Sequence, residues 1–225
     1  MSGLVLPCVE VEPPAPARST VLFLHGLGAD GHDFEPVVPL LGLPPGHGVR
    51  FVFPHAPSRP VTVNGGMVMP AWYDIRGLDL GQNPDVQGIE SSSRFIRTLL
   101  EREVERGIPA ERIVLAGFSQ GGAMALQVGL THSARLAGLL GLSCYVPLPD
   151  RIRGEEAQAN RATPIFMGHG TDDDIVLVER GEASQAFLRT AGYSVEWKTY
   201  PMGHQVDAQE IVDVGEWLGE RLLKP

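Results

Sequence analysis

Short runs of apolar residues alternate along this chain with longer amphipathic stretches, and this alternation constrains the fold more than any other feature. The predicted strands are residues 21–25, 50–54, 112–117, 136–143, 164–170 and 194–200. Most are apolar almost throughout, as strands are when both faces of a parallel sheet are covered. Residues 4–12 contain a proline and alternate in polarity, which predicts an edge strand. The pattern therefore predicts an α/β fold whose mostly parallel central sheet is flanked by helices.

The stretches between the predicted strands supply the helices. One predicted helix has an apolar face formed by Ile89, Ile96, Leu99, Leu100 and Val104, and it ends near Gly107 and Pro109. Three more helices are predicted at about 120–131, 178–190 and 206–223. Residues 56–88 are interrupted throughout by proline and glycine, yet they are too apolar for a disordered segment. We expect an ordered loop that lies over another part of the protein.

Length and composition exclude several classes of protein. A chain of 225 residues with 43% hydrophobic residues can bury a full core, so we expect one domain over residues 1–225. The net charge of −9 and the lack of a basic run argue against a nucleic-acid partner. No apolar run is long enough to span a membrane, and the first residues lack the basic start of a signal peptide. A cytoplasmic protein without stable membrane insertion is therefore predicted.

The sequence AGFSQGGAMAL, residues 116–126, is the sharpest local signal for chemistry. It places Ser119 in a Gly-x-Ser-x-Gly pentapeptide between a predicted strand and a predicted helix, which is the setting of a nucleophile elbow. The flanking glycines allow a tight turn that exposes the serine hydroxyl. Ser119 is therefore the candidate nucleophile, and the competing interpretation is an ordinary turn serine.

A serine nucleophile needs a histidine base, which in turn needs an acid. His204 lies between the last predicted strand and the last predicted helix, and it follows the aspartate run at 172–174, which gives the chain order serine, acid, histidine. His25 and His169 each end a predicted strand, and we expect both to bond backbone groups there. Spacing alone does not separate Asp172, Asp173 and Asp174 as the acid.

An oxyanion formed in acyl transfer needs backbone donors. One predicted donor is the N–H of Gln120, directly after the nucleophile. The other is the N–H of Leu27, in the glycine-rich loop after the first buried strand.

Five segments in order resemble the phospholipase/carboxylesterase family of small α/β-hydrolases without a separate cap domain: LHGLGADGHDF, APSRPVTVNGGMVMPAWYDI, GFSQGGAMAL, HGTDDDIV and YPMGHQVD. The second segment points to the bacterial carboxylesterase branch. The resemblance implies Ser119 as nucleophile, His204 as base, and Leu27 and Gln120 as oxyanion donors. Counting four residues from His169 implies Asp173 as the acid. Asp172 is then expected in a turn hydrogen bond, and Asp174 near the N-terminus of the following helix.

The acid loop departs from the family at two positions. Relatives have proline where this chain has Asp174 and Leu177. The loss of both prolines predicts an acid loop that is less restricted in the unfolded chain.

The resemblance implies hydrolysis of short- to medium-chain carboxylic esters, as small-molecule substrates, through an acyl-enzyme and without a cofactor or metal. Met67 and Trp72 of the apolar loop, and Val176 beside the acid, are the candidate substrate-binding residues. A homodimer is also an expectation from relatives. Two alternatives stay open: a lysophospholipase or acyl-protein thioesterase, and a non-catalytic binding protein on the same fold.

Overall fold

In a computed structural model of the chain, which describes residues 6–77, 83–152 and 158–223, seven strands form one sheet with the order β1-β3-β2-β6-β7-β8-β9. A separate two-stranded sheet contains β4 and β5. The strands are β1 (Cys8–Val11), β2 (Ser19–Leu24), β3 (Val49–Pro54), β4 (Ser58–Val61), β5 (Met67–Pro70), β6 (Ile113–Phe118), β7 (Gly138–Leu142), β8 (Ile165–Gly170) and β9 (Val195–Tyr200). Within the large sheet β1 runs antiparallel to β3, and the other neighbouring strands are parallel.

Helices cover both faces of the large sheet, as the alternation predicts. They are α1 (Val86–Glu105), α2 (Gln120–Leu130), α3 (Val178–Thr190) and α4 (Ala208–Leu222), with short 3-10 helices at Glu35–Leu41, Thr62–Asn64, Ala110–Arg112 and Pro149–Ile152. One hydrophobic core lies between the sheet and α1 to α3, and a second lies between the sheet, α4 and the first 3-10 helix. None of the described helices is both long and apolar enough to cross a membrane.

The predicted strands of the large sheet agree with the structure to within two residues at each end, apart from the edge strand predicted at 4–12. That strand is confirmed as β1, although it is shorter than predicted and residues 4 and 5 lie outside the described residues. Helix α1 begins at Val86, earlier than its apolar face suggests, because the Asp85 side chain accepts a hydrogen bond from the Gly88 N–H (3.1 Å) and caps the first turn.

The expected loop at 56–88 is only partly a loop. Its first part is the antiparallel hairpin β4–β5, in which Ser58 pairs with Pro70 and Val61 pairs with Met67. Both strands lack a second neighbour, which is why their prolines are tolerated. Gly28 donates its N–H to the Pro70 carbonyl oxygen (2.9 Å), so the end of this hairpin contacts the loop after β2. Residues 78–82 of the expected loop lie outside the described residues.

The sheet topology brings the candidate chemistry to one place. Leu27 follows β2, Ser119 follows β6, Asp173 follows β8 and His204 follows β9. All four strands are parallel, so their carboxyl ends share one edge of the sheet, which is where ligands bind in open α/β sheets.

The second core contains a buried carboxyl group, that of Glu210. Its N–H is capped by the Asp207 side chain (2.8 Å), and its own side chain lies against Gly168 of β8 inside an apolar cavity. Glu210 is 0% exposed, and neither carboxyl oxygen has a hydrogen-bond partner among the described residues. Burial, with a smaller contribution from Asp207 and Asp213, raises the pKa of Glu210 to about 8. The folded protein therefore keeps a proton there that the unfolded chain releases at lower pH.

This pKa predicts that the Glu210→Gln variant gains stability relative to the wild type as the pH rises. Between an unfolded pKa near 4.5 and a folded pKa of about 8, the free energy of unfolding of the wild type falls by about 1.4 kcal/mol per pH unit from this group. The neutral glutamine has no such dependence. We expect urea denaturation to show an advantage for the variant that grows by about 3 kcal/mol from pH 5 to pH 8.

Glu216→Gln is the matched control, because Glu216 is exposed on the same helix. Its stability difference from the wild type should stay constant over this range. A Glu210→Gln difference that is equally constant would show that Glu210 ionises without penalty in the folded state.

Candidate active site

Ser119 lies on a sharp turn between β6 and α2. Its backbone has φ 54° and ψ −119°, a conformation that residues with a side chain rarely adopt. A Cβ atom at Gly121 would overlap with the Leu24 carbonyl oxygen, and one at Gly117 would overlap with the Gly121 backbone. Glycine at both positions therefore lets strand, turn and helix pack closely enough to hold Ser119 in this conformation, as the pentapeptide predicts.

Three side chains from three loops form one hydrogen-bonded chain at the carboxyl edge of the sheet. His204 Nε2 lies 2.9 Å from Ser119 Oγ, and His204 Nδ1 lies 2.7 Å from Asp173 Oδ2. An ionised carboxylate can only accept, so Nδ1 carries the proton and Nε2 is the acceptor for the serine hydroxyl. The His204 ring also packs on Phe118, with centroids 4.8 Å apart. This geometry is that of a nucleophile, base and acid in contact.

The Asp173 carboxylate is buried and fully bonded. Its Oδ1 accepts the N–H groups of Ile175 (3.0 Å) and Val176 (2.8 Å), while Oδ2 accepts from His204. Burial acts to raise its pKa, but the hydrogen bonds from His204 and the two backbone N–H groups outweigh burial and hold the pKa below its usual value. Asp173 is therefore a stable anion beside the histidine.

Hydrogen bonds hold the acid loop in place although it has Asp174 and Leu177 at the two positions where the resemblance predicts proline. Thr171 donates its N–H to the Tyr200 carbonyl oxygen (2.8 Å), and Asp172 donates its N–H to the Met202 carbonyl oxygen (3.0 Å). These two bonds tie the acid loop to the loop that carries His204. A further hydrogen bond, from His169 Nε2 to the Val176 carbonyl oxygen (2.7 Å), connects the end of β8 to the last part of the acid loop. The loop therefore has a defined position without proline at 174 or 177.

The two histidines expected to bond backbone groups do so. Besides its bond to Val176, His169 Nε2 lies 3.5 Å from Asp173 Oδ2, and the pKa of this buried imidazole is lowered by burial. His25 Nδ1 donates to the Gly26 carbonyl oxygen (2.7 Å), and its Nε2 accepts the Ala56 N–H (3.0 Å). Burial likewise lowers the pKa of His25. Both rings are therefore neutral supports of the strand ends.

The neighbours of Asp173 are both exposed. Asp172 accepts a hydrogen bond from the Thr171 hydroxyl (3.2 Å), in agreement with a turn position. Asp174 lines the cavity beside Ser119, and α3 begins at Val178 with Leu177 as its N-cap residue and no side-chain cap. Asp174 therefore does not cap that helix, and its expected position near the helix N-terminus stays a prediction. Exposed Ile175 and buried Val176 lie between Asp174 and the N-cap residue Leu177.

Leu27 and Gln120, the predicted oxyanion donors, line the same cavity as Ser119. Gln120 is the first residue of α2, so its backbone N–H has no acceptor within the helix. The Gln120 side chain is buried: Oε1 accepts the Trp72 N–H (2.8 Å) and Nε2 donates to the Tyr73 carbonyl oxygen (2.7 Å). The side chain thus has a structural use that does not involve the backbone N–H at the helix N-terminus.

The cavity beside Ser119 has a volume of about 460 Å³. Its wall comprises the loop after β2, the connection between β4 and β5, the segment after β5 and the acid loop, represented by Leu27, Val63, Ile75, Ile175 and Val176. Tyr73 and Tyr145 also line it, and their hydroxyl groups lie 3.0 Å apart in a buried pair. The wall is thus mostly apolar with a few polar groups, as in sites for small organic ligands.

Of the three predicted substrate-binding residues, the structure brings only Val176 to the cavity. Met67 lies in the hairpin with 64% of its surface exposed, and Trp72 is 0% exposed and packs in the core. Neither lines the cavity. Apolar character alone does not distinguish a core position from a position in a cavity wall. Tyr73, directly after Trp72, lines the cavity but was not among the predicted residues. Its hydroxyl group was the available signal, because aromatic residues with a polar end often line binding sites.

The described part of the chain contains no group of three or more His, Cys, Asp or Glu side chains that could hold a metal ion. The arrangement around Ser119 can perform nucleophilic acyl transfer with its own side chains.

Comparison with known proteins places these observations in a family. The family model for phospholipases and carboxylesterases matches residues 6–221. Acyl-protein thioesterase 1 of Gibberella zeae is 42% identical, with 98% of this chain and 97% of that protein covered. A probable carboxylesterase of Oryza sativa subsp. japonica is 35% identical over 99% of this chain and 85% of that protein.

The fold has a similar counterpart among solved structures. Acyl-protein thioesterase 2 of Zea mays superposes with a TM-score of 0.83 at 31% identity, over 96% of this chain and 99% of that chain. The α/β-hydrolase fold expected from the resemblance is thereby confirmed.

Proposed function

We propose, because this chain belongs to the phospholipase/carboxylesterase family, that it is a serine hydrolase that cleaves carboxylic esters through an acyl-enzyme on Ser119. The observation that carries the proposal is the hydrogen-bonded chain from Ser119 Oγ through His204 to Asp173, open to a cavity of about 460 Å³. A binding protein on this fold would have no need of that chain.

In the acylation step, Ser119 Oγ attacks the ester carbonyl carbon while His204 Nε2 takes the hydroxyl proton. The carbonyl electron pair moves to oxygen, and we assign the N–H groups of Leu27 and Gln120 as its donors. The N-terminus of α2 favours the negative charge as well. The tetrahedral intermediate then collapses, and the leaving alcohol takes the proton from His204.

In the deacylation step, water attacks the acyl carbon with His204 as base, and Ser119 recovers its proton as the acid is released. The net reaction converts an ester and water into an acid and an alcohol. Asp173 keeps the Nδ1–H tautomer and stabilises the imidazolium in both steps, which requires it to stay ionised. Its lowered pKa supports that role.

A thioesterase activity at the same site is the second candidate. The observation that favours it is the likeness to the Gibberella zeae protein, which is described as an acyl-protein thioesterase. The chemistry is the same except that a thiol leaves. A thiol has a lower pKa than an alcohol, so a thiolate can leave with less protonation by His204.

Labelling with a fluorophosphonate probe tests the proposed nucleophile. We expect one probe per chain, on the tryptic peptide that runs from residue 113 to 135. This peptide also contains Ser133, so fragmentation must locate the probe on Ser119. Heat-denatured protein is the control and should stay unlabelled. A native protein that neither takes up the probe nor hydrolyses p-nitrophenyl esters would be a binding protein, contrary to the proposal.

Matched substrates separate the two candidate activities. p-Nitrophenyl butyrate and S-(4-nitrophenyl) thiobutyrate share the acyl group and the aryl group and differ in the leaving atom. A kcat/KM for the oxoester that equals or exceeds that for the thioester supports the first candidate, and the reverse order supports the second.

A further inference from the structure

Trp72 is bonded to both chain segments that carry the proposed oxyanion donors. Its indole Nε1–H donates to the His25 carbonyl oxygen (2.9 Å), two residues before Leu27. Its backbone N–H donates to Gln120 Oε1 (2.8 Å). The residue is fully buried, and the Ser92 hydroxyl of α1 donates to its carbonyl oxygen. Trp72 is thus a rigid link between the loop after β2 and the start of α2.

The loop after β2 has its own turn hydrogen bond across Leu27, from the Ala29 N–H to the Gly26 carbonyl oxygen (3.3 Å), and further contacts on either side. The His25 ring packs on the Trp72 ring, with centroids 5.4 Å apart, and bonds backbone groups at Gly26 and Ala56. The Gly28 N–H is bonded to Pro70. The segment that ends the hairpin, residues 70–72, therefore supports this loop on both sides of Leu27.

The start of α2 is connected to the same segment by the Gln120 side chain. Its amide oxygen accepts the Trp72 N–H and its amide nitrogen donates to the Tyr73 carbonyl oxygen. The two bonds thus flank the peptide unit between Trp72 and Tyr73. This pair of bonds fixes the Gln120 residue without using its backbone N–H. Trp72 therefore connects the segments that carry the Leu27 and Gln120 N–H groups, in addition to the direct packing of Gly26 against Ser119.

We propose that Trp72 is a positioning residue for the oxyanion hole, which holds the Leu27 and Gln120 N–H groups at the separation that one oxyanion requires. The inference rests on the proposed function and goes beyond it. Donors must lie about 2.7–3.1 Å from the oxyanion, and a shift of about 1 Å can slow a reaction 100-fold. Trp72 contacts neither substrate nor reacting atoms, because it does not line the cavity.

The Trp72→Phe variant tests this role because it removes the Nε1–H and keeps an aromatic ring. We expect kcat/KM on p-nitrophenyl butyrate to fall by about 10- to 100-fold, mainly through kcat. Trp217→Phe is the matched control: Trp217 is also buried, but its Nε1 has no partner among the described residues and it packs in the core on the opposite face of the sheet. This control should lose stability while kcat/KM stays within about two-fold of the wild type.

An alkyl trifluoromethyl ketone separates positioning from general loosening. Ser119 Oγ adds to its carbonyl carbon, the hydroxyl proton passes to His204, and the carbonyl oxygen becomes an oxyanion in the proposed hole. We expect Trp72→Phe to weaken this inhibitor by the same factor as kcat/KM, whereas binding of the product butyrate changes less than about two-fold. Equal losses for ketone and butyrate, or no loss for the ketone, would overturn the proposal.

Gln120→Met provides a second variant that keeps the backbone N–H and removes the other connection to Trp72. We expect Gln120→Met to lose a similar factor of ketone affinity. The Trp72→Phe/Gln120→Met double variant should lose less than the product of the two single factors, because both substitutions disturb the same separation between the two N–H groups. Multiplicative losses would show that the two bonds act independently, against the proposal. A wild-type protein that does not bind the ketone at Ser119 would overturn the proposed function itself.

Discussion

The Ser119→Ala variant is expected to hydrolyse p-nitrophenyl butyrate about 10⁶-fold more slowly than the wild type, because the loss of a serine nucleophile removes the acyl-enzyme route altogether. Alanine keeps the backbone conformation of this position and removes only the Oγ atom that lies 2.9 Å from His204. We therefore expect a folded protein with an unchanged circular dichroism spectrum. Measurement of initial rates at high enzyme concentration, together with fluorophosphonate labelling, checks both parts.

Ser133→Ala is the matched control for this experiment. Ser133 is exposed and lies on the same tryptic peptide, so the same mass-spectrometric assay covers both serines. This variant should label and turn over as the wild type does. A Ser119→Ala protein that retains more than about a thousandth of the activity would show that another group performs the attack.

The second large effect is expected at Asp173, where asparagine should lower kcat by about 10⁴-fold. The side-chain oxygen of asparagine can still accept the N–H groups of Ile175 and Val176, so the loop should keep its shape. The amide NH₂ group then faces His204 Nδ1 in place of the carboxylate oxygen. As a donor, it favours the tautomer with the proton on Nε2, which cannot take the proton of Ser119.

The neighbouring aspartates serve as controls for Asp173→Asn. Asp172→Asn and Asp174→Asn make the same chemical change at exposed positions that do not contact His204. Each should keep kcat within about three-fold of the wild type. An inactive Asp174→Asn protein beside an active Asp173→Asn protein would mean that the acid is one position further along the chain than assigned here.

The fold and the three-residue hydrogen-bonded chain could largely be predicted from the sequence. Buried parallel strands are apolar almost throughout, so β2, β6 and β8 can be predicted without knowledge of their neighbours. Their parallel order places the residues that follow them at one edge, which is why chain order alone brought serine, acid and histidine together. The choice among Asp172, Asp173 and Asp174 needed the family resemblance, because three adjacent carboxylates differ only in how the loop turns.

The cavity wall and the hairpin were harder to predict. The strands β4 and β5 have four residues each and contain proline, so their period is too short to distinguish from a loop. Trp72 and Met67 are both apolar, yet Trp72 is in the core and Met67 is exposed. Met67 lies in the hairpin β4–β5, which is separate from the large sheet, whereas Trp72 follows the hairpin and packs in the core. Contacts between distant segments, such as Trp72 with His25, follow from tertiary structure and leave no local pattern.

The backbone conformation of Ser119 also bears on how this sequence can change over time. A residue other than glycine at a positive φ costs about 1–3 kcal/mol of stability, and glycine would adopt the same turn without that cost. Mutational drift in a lineage without selection for hydrolysis would therefore be expected to replace this serine early, since the replacement stabilises the fold. Ser119 in this conformation therefore lowers the stability of the fold relative to glycine, which is the expected trade between stability and the proposed reaction.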